Sequence, residues 1–295
     1  MKSRRIEEID KNFAVNPSNQ DQVEFFNVLD EPFEVYGLPW IKEEKVFNRL
    51  PQAVSTRFNQ SIRDLAVHTS GARLRFVTDS PFVTLKVTLT SGYDMSHMPR
   101  SGISGFDFYV GEKYNRKYVK TIMPEYGVTE YEGTAFAAGG GLQEWLIHFP
   151  LYNGVKGLKI GLKPNSALKP APPYSISKPI VFYGSSITQG GCASRPGNAY
   201  PNIISRKLDA DIYCLGFSGN AKGEPEMADF ISGLDMSLFV MDYDHNAPTA
   251  EHLANTHEPF FKVIRSKNPE LPVVFVSKPD FDSDVEGNRI RRDII

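Results

Sequence analysis

The stretch VFYGSSITQG, Val181–Gly190, holds two rhythms in ten residues. Val181, Phe182 and Tyr183 are consecutive strand formers, and a short unbroken apolar run of this kind suits a strand covered on both faces. Gly184-Ser185-Ser186 then interrupts it with small polar residues, and Thr188 and the glycines beyond let the backbone turn sharply. A strand that ends in this way can hold a hydroxyl on a rigid edge, and Ser186 is the hydroxyl so placed. A plain Gly/Ser turn, or a loop around phosphate, is the alternative reading of the same residues.

Working outward toward the C-terminus, strands and helices alternate. Ile180–Tyr183 reads as one short strand. Tyr200, Ile203, Ile204 and Leu208 fall on one helical face, with Asn198 as its cap and Pro201 in the first turn. Ile212–Phe217 reads as a second strand, and Met227, Phe230 and Ile231 mark a helix closed by Gly233. Leu238–Tyr243 is a third strand. Thr249 caps a longer helix through Leu253, Phe260, Phe261 and Ile264, and Val273–Val276 is a fourth strand. This alternation predicts a parallel sheet with helices on both faces, and in such sheets sites lie at the carboxyl ends of the strands.

Toward the N-terminus the period changes to two. Val83, Leu85, Val87 and Leu89 alternate with Thr84, Lys86, Thr88 and Thr90, which directs one face inward and one to water. Phe106, Phe108 and Val110 alternate with Asp107 and Tyr109, and Leu158, Ile160 and Leu162 repeat the pattern. These runs predict an antiparallel β-sandwich or jelly roll over residues 1–162. KPNSALKPAPPYSISKP, Lys163–Pro179, is rich in proline and reads as an extended connector over 163–178. The α/β domain then takes 179–295.

Bulk composition excludes several classes. The 295 residues carry a net charge of −2, which gives no electrostatic case for nucleic acid or an anionic membrane surface. No apolar run reaches the ~20 residues of a spanning helix. MKSRRIEEIDKNF lacks the apolar core of a signal peptide, so either the chain is cytoplasmic or a leader has been removed. Cys192 and Cys214 match neither a disulfide framework nor a zinc spacing, and read as two buried or half-buried thiols.

Candidate site residues sit at three strand ends. Ser186 follows the first. The second runs into GFSGNAKGEPE, where Gly219 can present its amide because no side chain blocks it. The third ends in YDHN, leaving at its tip Asn246, whose NH₂ is a suitable oxyanion donor.

These blocks resemble those of the SGNH, or GDSL-type, hydrolases, which carry them on a flavodoxin-like sheet. GSSIT, Gly184–Thr188, resembles the first block, with Ser186 as the nucleophile and Ser185 where Asp is usual. SGN, Ser218–Asn220, resembles the second and makes the Gly219 amide an oxyanion donor beside that of Ser186. Tyr243–Asn246 resembles a loose third block, with Asp244 in place of the usual Gly. HMPRSGISGFDFY, His97–Tyr109, resembles the Gly-x-Asp-Leu-Tyr signature of a β-sandwich domain that precedes some of these esterases, with Phe108 for Leu.

The resemblance further implies an Asp-x-x-His block that supplies the base. No such block follows the third strand in this sequence, which closes on GNRIRRDII, Gly287–Ile295. A fifth strand and a base-bearing helix are therefore expected beyond Ile295. Asp94-x-x-His97 and Asp242-x-x-His245 have the spacing, but one belongs to the sandwich domain and the other to the third strand and its tip. The loop around His97 and the run Gly139–Gly141 are candidate cleft walls, and His257 a candidate neighbour of the cleft. The implied function is hydrolysis of short acyl esters, acetyl foremost, on a small molecule or carbohydrate, with no metal or organic cofactor. The alternative is a carbohydrate-binding protein with a degenerate hydrolase domain.

Overall fold

The computed structural model describes residues 23–137, 139–279 and 281–295. Its first part is a sandwich of two antiparallel sheets. One sheet has the order β1 (Glu24–Asn27), β9 (Val155–Leu162), β4 (Phe82–Leu89), β7 (Glu130–Phe136). The other has the order β10 (Leu168–Lys169), β3 (Arg73–Thr78), β8 (Gln143–His148), β5 (Phe106–Val110), β6 (Lys117–Ile122), with β2 (Glu34–Tyr36) also paired to β3. Leu85, Val87, Leu158 and Ile160 of the first sheet meet Leu74, Phe76, Phe108 and Ile147 of the second in one dry core. The period-two residues interdigitate there, as aligned sheet packing requires.

The alternate faces are less wet than the pattern predicts. Thr84 is buried and shares a hydrogen bond with Thr134 on the neighbouring strand at 2.8 Å. On the second sheet, Arg73, Arg75, Asp107, Glu144 and His148 are all buried. Their face is covered by the α/β half of the molecule rather than by water. Arg75 and Arg116 both pair with Glu144, at 2.8 and 2.9 Å. Tyr174, from the proline-rich stretch, lies under the guanidinium of Arg75 at 4.0 Å and near those of Arg73 and Arg116. That stretch is thus held by β10 and by Tyr174 against the sandwich.

The α/β half is a parallel sheet with the order β12 (Ala210–Gly216), β11 (Ile176–Gly184), β13 (Leu238–Asp242), β14 (Val273–Phe275). β11 begins four residues earlier than expected, because Ile176 already pairs with Ala210 before a register shift. Val181 and Tyr183 face one core, and Ile180 and Phe182 face another. Both faces of the central strand are therefore dry, which is why it is an unbroken apolar run.

Helices α1 (Ile41–Glu44), α2 (Gln52–Ser55), α3 (Gln60–Ala66) and α4 (Arg100–Ser104) precede the sheet in sequence. Leu50, Phe58, Ile62 and Ala66 pack not in the sandwich but on the parallel sheet, against residues such as Tyr213 and Met227. After β11 come α5 (Ser186–Gln189), α6 (Tyr200–Leu208), α7 (Pro225–Ser232), α8 (Ala250–Lys267) and α9 (Val285–Ile294). Thr249 caps α8 by accepting from the His252 amide, as its position predicts. The α6 reading needs correction. Its cap is Ala199, not Asn198, and Leu208 is exposed. The helix instead buries Asn202 and Ser205, whose side chains donate to the carbonyls of Pro196 and Ala210.

Candidate active site

Register fixes where the three turns meet. Gly184 at the end of β11 pairs with Gly216 of β12 on one side and with Asp242 of β13 on the other. All three strands thus stop at one level, and the segments carrying Ser186, Gly219 and Asn246 leave the same sheet edge.

Ser185 is buried and extended (φ −78°, ψ −165°), and its Oγ accepts from the Ile187 amide at 3.2 Å. Serine caps a helix as well as aspartate does, so the departure at this position keeps the turn intact. Ser186 opens α5 and is half-buried. Among the described residues no hydrogen bond engages its Oγ, and its amide, in the first turn of the helix, has no intrahelical partner. Behind it, Thr188 donates to the Asp242 carboxylate at 2.9 Å, and Tyr200 donates to the same oxygen at 2.6 Å. Burial pushes the Asp242 carboxyl up against the pull of those two hydroxyls.

Gly219 is exposed with φ +68°, and a Cβ there would meet nothing within 4 Å. The left-handed backbone calls for glycine, and the space beside it is open. The turn is tied to its neighbours on both sides. The Phe217 amide donates to the Gly184 carbonyl at 2.9 Å, and the Asn246 NH₂ donates to the Phe217 carbonyl at 3.0 Å. One Asn246 N–H is spent in this way, which leaves the second for a ligand. A hydroxyl with free amides and a carboxamide N–H on one edge can attack a carbonyl and stabilise the oxyanion that results.

Several residues that frame the site were not picked out by sequence reasoning. Gln189 is fully buried, and its side chain joins three segments: Oε1 accepts from the Ser218 amide at 3.0 Å, while Nε2 lies 3.2 Å from the Leu151 carbonyl and 3.3 Å from His68 Nδ1. Tyr152 of the sandwich half donates to the Ser186 carbonyl at 3.3 Å. Arg49 is buried beside the Phe217 ring and donates to the carbonyls of Cys214 (3.0 Å) and Gly216 (2.6 Å). A buried glutamine or arginine has no signature in a single sequence. Only the fold reveals it.

The carboxylates of the two Asp-x-x-His pairs are engaged by other partners, although His245 still pulls the Asp242 carboxyl down against its burial. Asp94 is held by Arg100 through three contacts of 2.6–3.0 Å, and Asp242 serves Thr188 and Tyr200. None of the described histidines hydrogen-bonds Ser186 Oγ. His257 lies in the core, stacked 5.9 Å from Tyr243 and edge-on to Phe275 at 5.0 Å. His148 lies at the domain interface against Arg206 at 2.9 Å. The cysteines are both free, but Cys192 is exposed, on the turn after α5 with φ +61°, so only Cys214 is the buried thiol that the sequence suggests.

The Gly105–Tyr109 signature starts at the C-cap of α4 and runs along β5, with Phe106 and Phe108 in the sandwich core and Asp107 and Tyr109 turned to the second domain. Asp107 is buried, accepts from Thr121 (2.6 Å), the Gly197 amide (2.7 Å) and Arg195 (2.9 Å), and has its carboxyl pushed up by burial. Tyr109 also receives a hydrogen bond from Arg195. A Cβ at Gly197 would collide with the Tyr109 hydroxyl, so glycine there permits the close approach. The motif docks the sandwich onto the Arg195–Gly197 segment that follows the Ser186 helix.

This architecture, an SGNH-like edge on a parallel sheet docked through an Asp-x-Tyr strand, defines a class of two-domain acylhydrolases. Residues 177–292 match the GDSL-like Lipase/Acylhydrolase family, and residues 23–168 match the model described as the N-terminus of Esterase_SGNH_hydro-type. The chain belongs to the SGNH/GDSL-type hydrolases with that N-terminal domain. Among solved structures it is similar to a Bacteroides ovatus protein described as a GDSL-like lipase. That match has a TM-score of 0.82 and 25% identity over 92% of this chain and 81% of the other. The salicylyl-acyltransferase SsfX3 of a tetracycline biosynthetic pathway has a TM-score of 0.70 and 17% identity over 92% and 80%. An acetyl xylan esterase from Butyrivibrio proteoclasticus has 0.51 and 12% over 92% and 87%. No curated protein matches the chain in sequence.

Proposed function

We propose that this SGNH-type esterase removes short acyl groups, acetyl foremost, from carbohydrate esters. Ser186 Oγ bonds to the ester carbonyl carbon and gives its proton to a base of the kind the family's Asp-x-x-His block supplies. The amides of Ser186 and Gly219 with the free Asn246 N–H hold the oxyanion, and the sugar alcohol leaves with that proton. Water then clears the acyl-enzyme. The observation that carries this reading is the shared edge: a Ser186 hydroxyl with no hydrogen-bond partner among the described residues, beside donors on the two flanking turns that no described residue claims. The small acyl group and the sugar are read from the likeness to an acetyl xylan esterase.

The experiment is a panel of acetylated xylo-oligosaccharides, acetylated monosaccharides and 4-nitrophenyl esters of increasing chain length, with free acid measured. Preference for acetyl over butyryl and octanoyl, and for sugar over aryl acetates in kcat/KM, is expected. Preference for long chains would overturn the acetyl assignment. Binding of the oligosaccharides with no turnover of any ester would favour the non-catalytic carbohydrate-binding alternative.

A further inference from the structure

The Ser218 amide, one peptide before that of Gly219, is held by a buried side chain. Gln189 lies three residues after Ser186, on the same short helix, and is fully buried. Its Oε1 accepts from the Ser218 amide at 3.0 Å. Its Nε2 points the other way, to the Leu151 carbonyl at 3.2 Å and His68 Nδ1 at 3.3 Å, both on the sandwich half. Its backbone is held as well, because Ser70 Oγ donates to the Gln189 carbonyl at 2.6 Å. The carboxamide therefore has both ends fixed. Burial together with the Arg49 charge holds His68 down to about 4, so near neutrality its ring is uncharged and Nδ1 is able to accept. A charged imidazolium would present a donor to a donor.

Gly219 itself is exposed with φ +68°. The peptide that carries its N–H is held at its carbonyl end, where Asn220 Nδ2 donates to the Ser218 carbonyl at 2.7 Å. The preceding peptide is held by Gln189 through the Ser218 amide, so the two side chains fix Ser218 on both sides. We propose that Gln189 is a positioning residue, which aims the Gly219 amide at the oxyanion by clamping Ser218 and takes its own bearing from His68 and Leu151 of the N-terminal domain. The sandwich domain is then part of the catalytic geometry rather than a separate module. This rests on the proposed roles of Ser186 and Gly219. An oxyanion donor acts only when aimed at the developing charge, so a misdirected amide lowers turnover more than substrate binding.

The test compares Gln189→Met, which keeps the volume and removes both polar ends, with Gln189→Glu, which keeps the acceptor for Ser218. Three readouts are taken on the full chain: kcat and KM with 4-nitrophenyl acetate, thermal midpoint, and hydrogen exchange of the Ser218 amide. Gln189→Met is expected to lower kcat by about 10–100-fold with KM within about twofold, short of the 10²–10³ for outright loss of a donor. It should also release the Ser218 amide to fast exchange. Gln189→Glu is expected to keep Ser218 protected but to recover only part of kcat, because its second oxygen meets the Leu151 carbonyl where the amide donated. A folded Gln189→Met with kcat within about twofold of the parent, or equal losses of kcat in both variants, would overturn the assignment. If the parent shows no Ser186-dependent turnover, the esterase reading fails separately. Exchange then decides the clamp: an unprotected Ser218 amide in Gln189→Met alone supports it, and unchanged protection removes it.

Discussion

Asn246 donates one side-chain N–H to the carbonyl of Phe217 at 3.0 Å, across the gap between the turns after β13 and β12. That bond uses one of the two side-chain N–H groups and leaves the second without a partner among the described residues. It also ties the third turn to the second, two residues before Gly219. The geometry therefore predicts a different outcome for each of the two donors.

Asn246→Ala removes a donor and frees the Phe217 carbonyl. Turnover should fall by about 10²–10³-fold with little change in KM, and stability should fall by about 1 kcal/mol for the lost hydrogen bond. Gly219→Ala keeps the amide and meets no atom, so its penalty is the left-handed backbone alone, about 1–2 kcal/mol. Steady-state kinetics and thermal melts of both variants check this. An Asn246→Ala protein with a raised KM and normal kcat would place Asn246 in substrate binding instead.

Asp107 is the hub of the domain junction. Asp107→Ala strands the Gly197 amide and leaves Arg195 with Tyr109 as its remaining polar partner at that point. Arg195 is part-exposed and can be rehydrated, so the cost comes mainly from the stranded Gly197 amide, about 1–3 kcal/mol for a buried group left unpaired. The urea midpoint should therefore drop markedly for Asp107→Ala and less for Asp107→Asn, which keeps the shape. Equal midpoints for the parent and Asp107→Ala would refute a docking role for the signature.

The buried histidines make the fold acid-sensitive. His68 is held at about 4, and His148 and His257 are also depressed, in each case chiefly by burial. Their unfolded value is about 6.5. A depressed folded value means that the unfolded chain binds protons first as pH falls. Stability is thus fully present above about pH 6.5 and is lost on the way down to about 4. For His68 the full shift corresponds to about 3 kcal/mol, trimmed somewhat because the ring is partly exposed. Thermal midpoints should decline from pH 7 to pH 4, and His68→Leu should flatten part of the slope. A midpoint independent of pH across that window would contradict this account.

The readable parts of the sequence were those whose environment repeats along the chain. β11 and β13 are dry on both faces, so Val181–Tyr183 and Leu238–Met241 stand out as apolar runs. β4 and β9 face one core and keep their alternation. The turns after β11, β12 and β13 were legible because glycine, serine and asparagine there answer local backbone demands. The start of β11 was hidden because Ser177, Lys178 and Pro179 interrupt its pattern, although Ile176 already pairs with Ala210. Asp107 looked like part of a wet sheet face because alternation cannot distinguish water from a second domain. Gln189 and Arg49 were invisible for a similar reason, since their partners lie far off in sequence, at Ser218, Leu151 and Cys214.

The account stands on the Ser186 hydroxyl, and the direct test is hydrolysis of 4-nitrophenyl acetate by this chain beside its Ser186→Ala variant at equal concentration and matched folding. The geometry predicts a parent rate well above buffer and a fall on the order of 10⁴-fold or more on substitution, with the circular dichroism unchanged. Identical rates for the two proteins would contradict a nucleophilic Ser186.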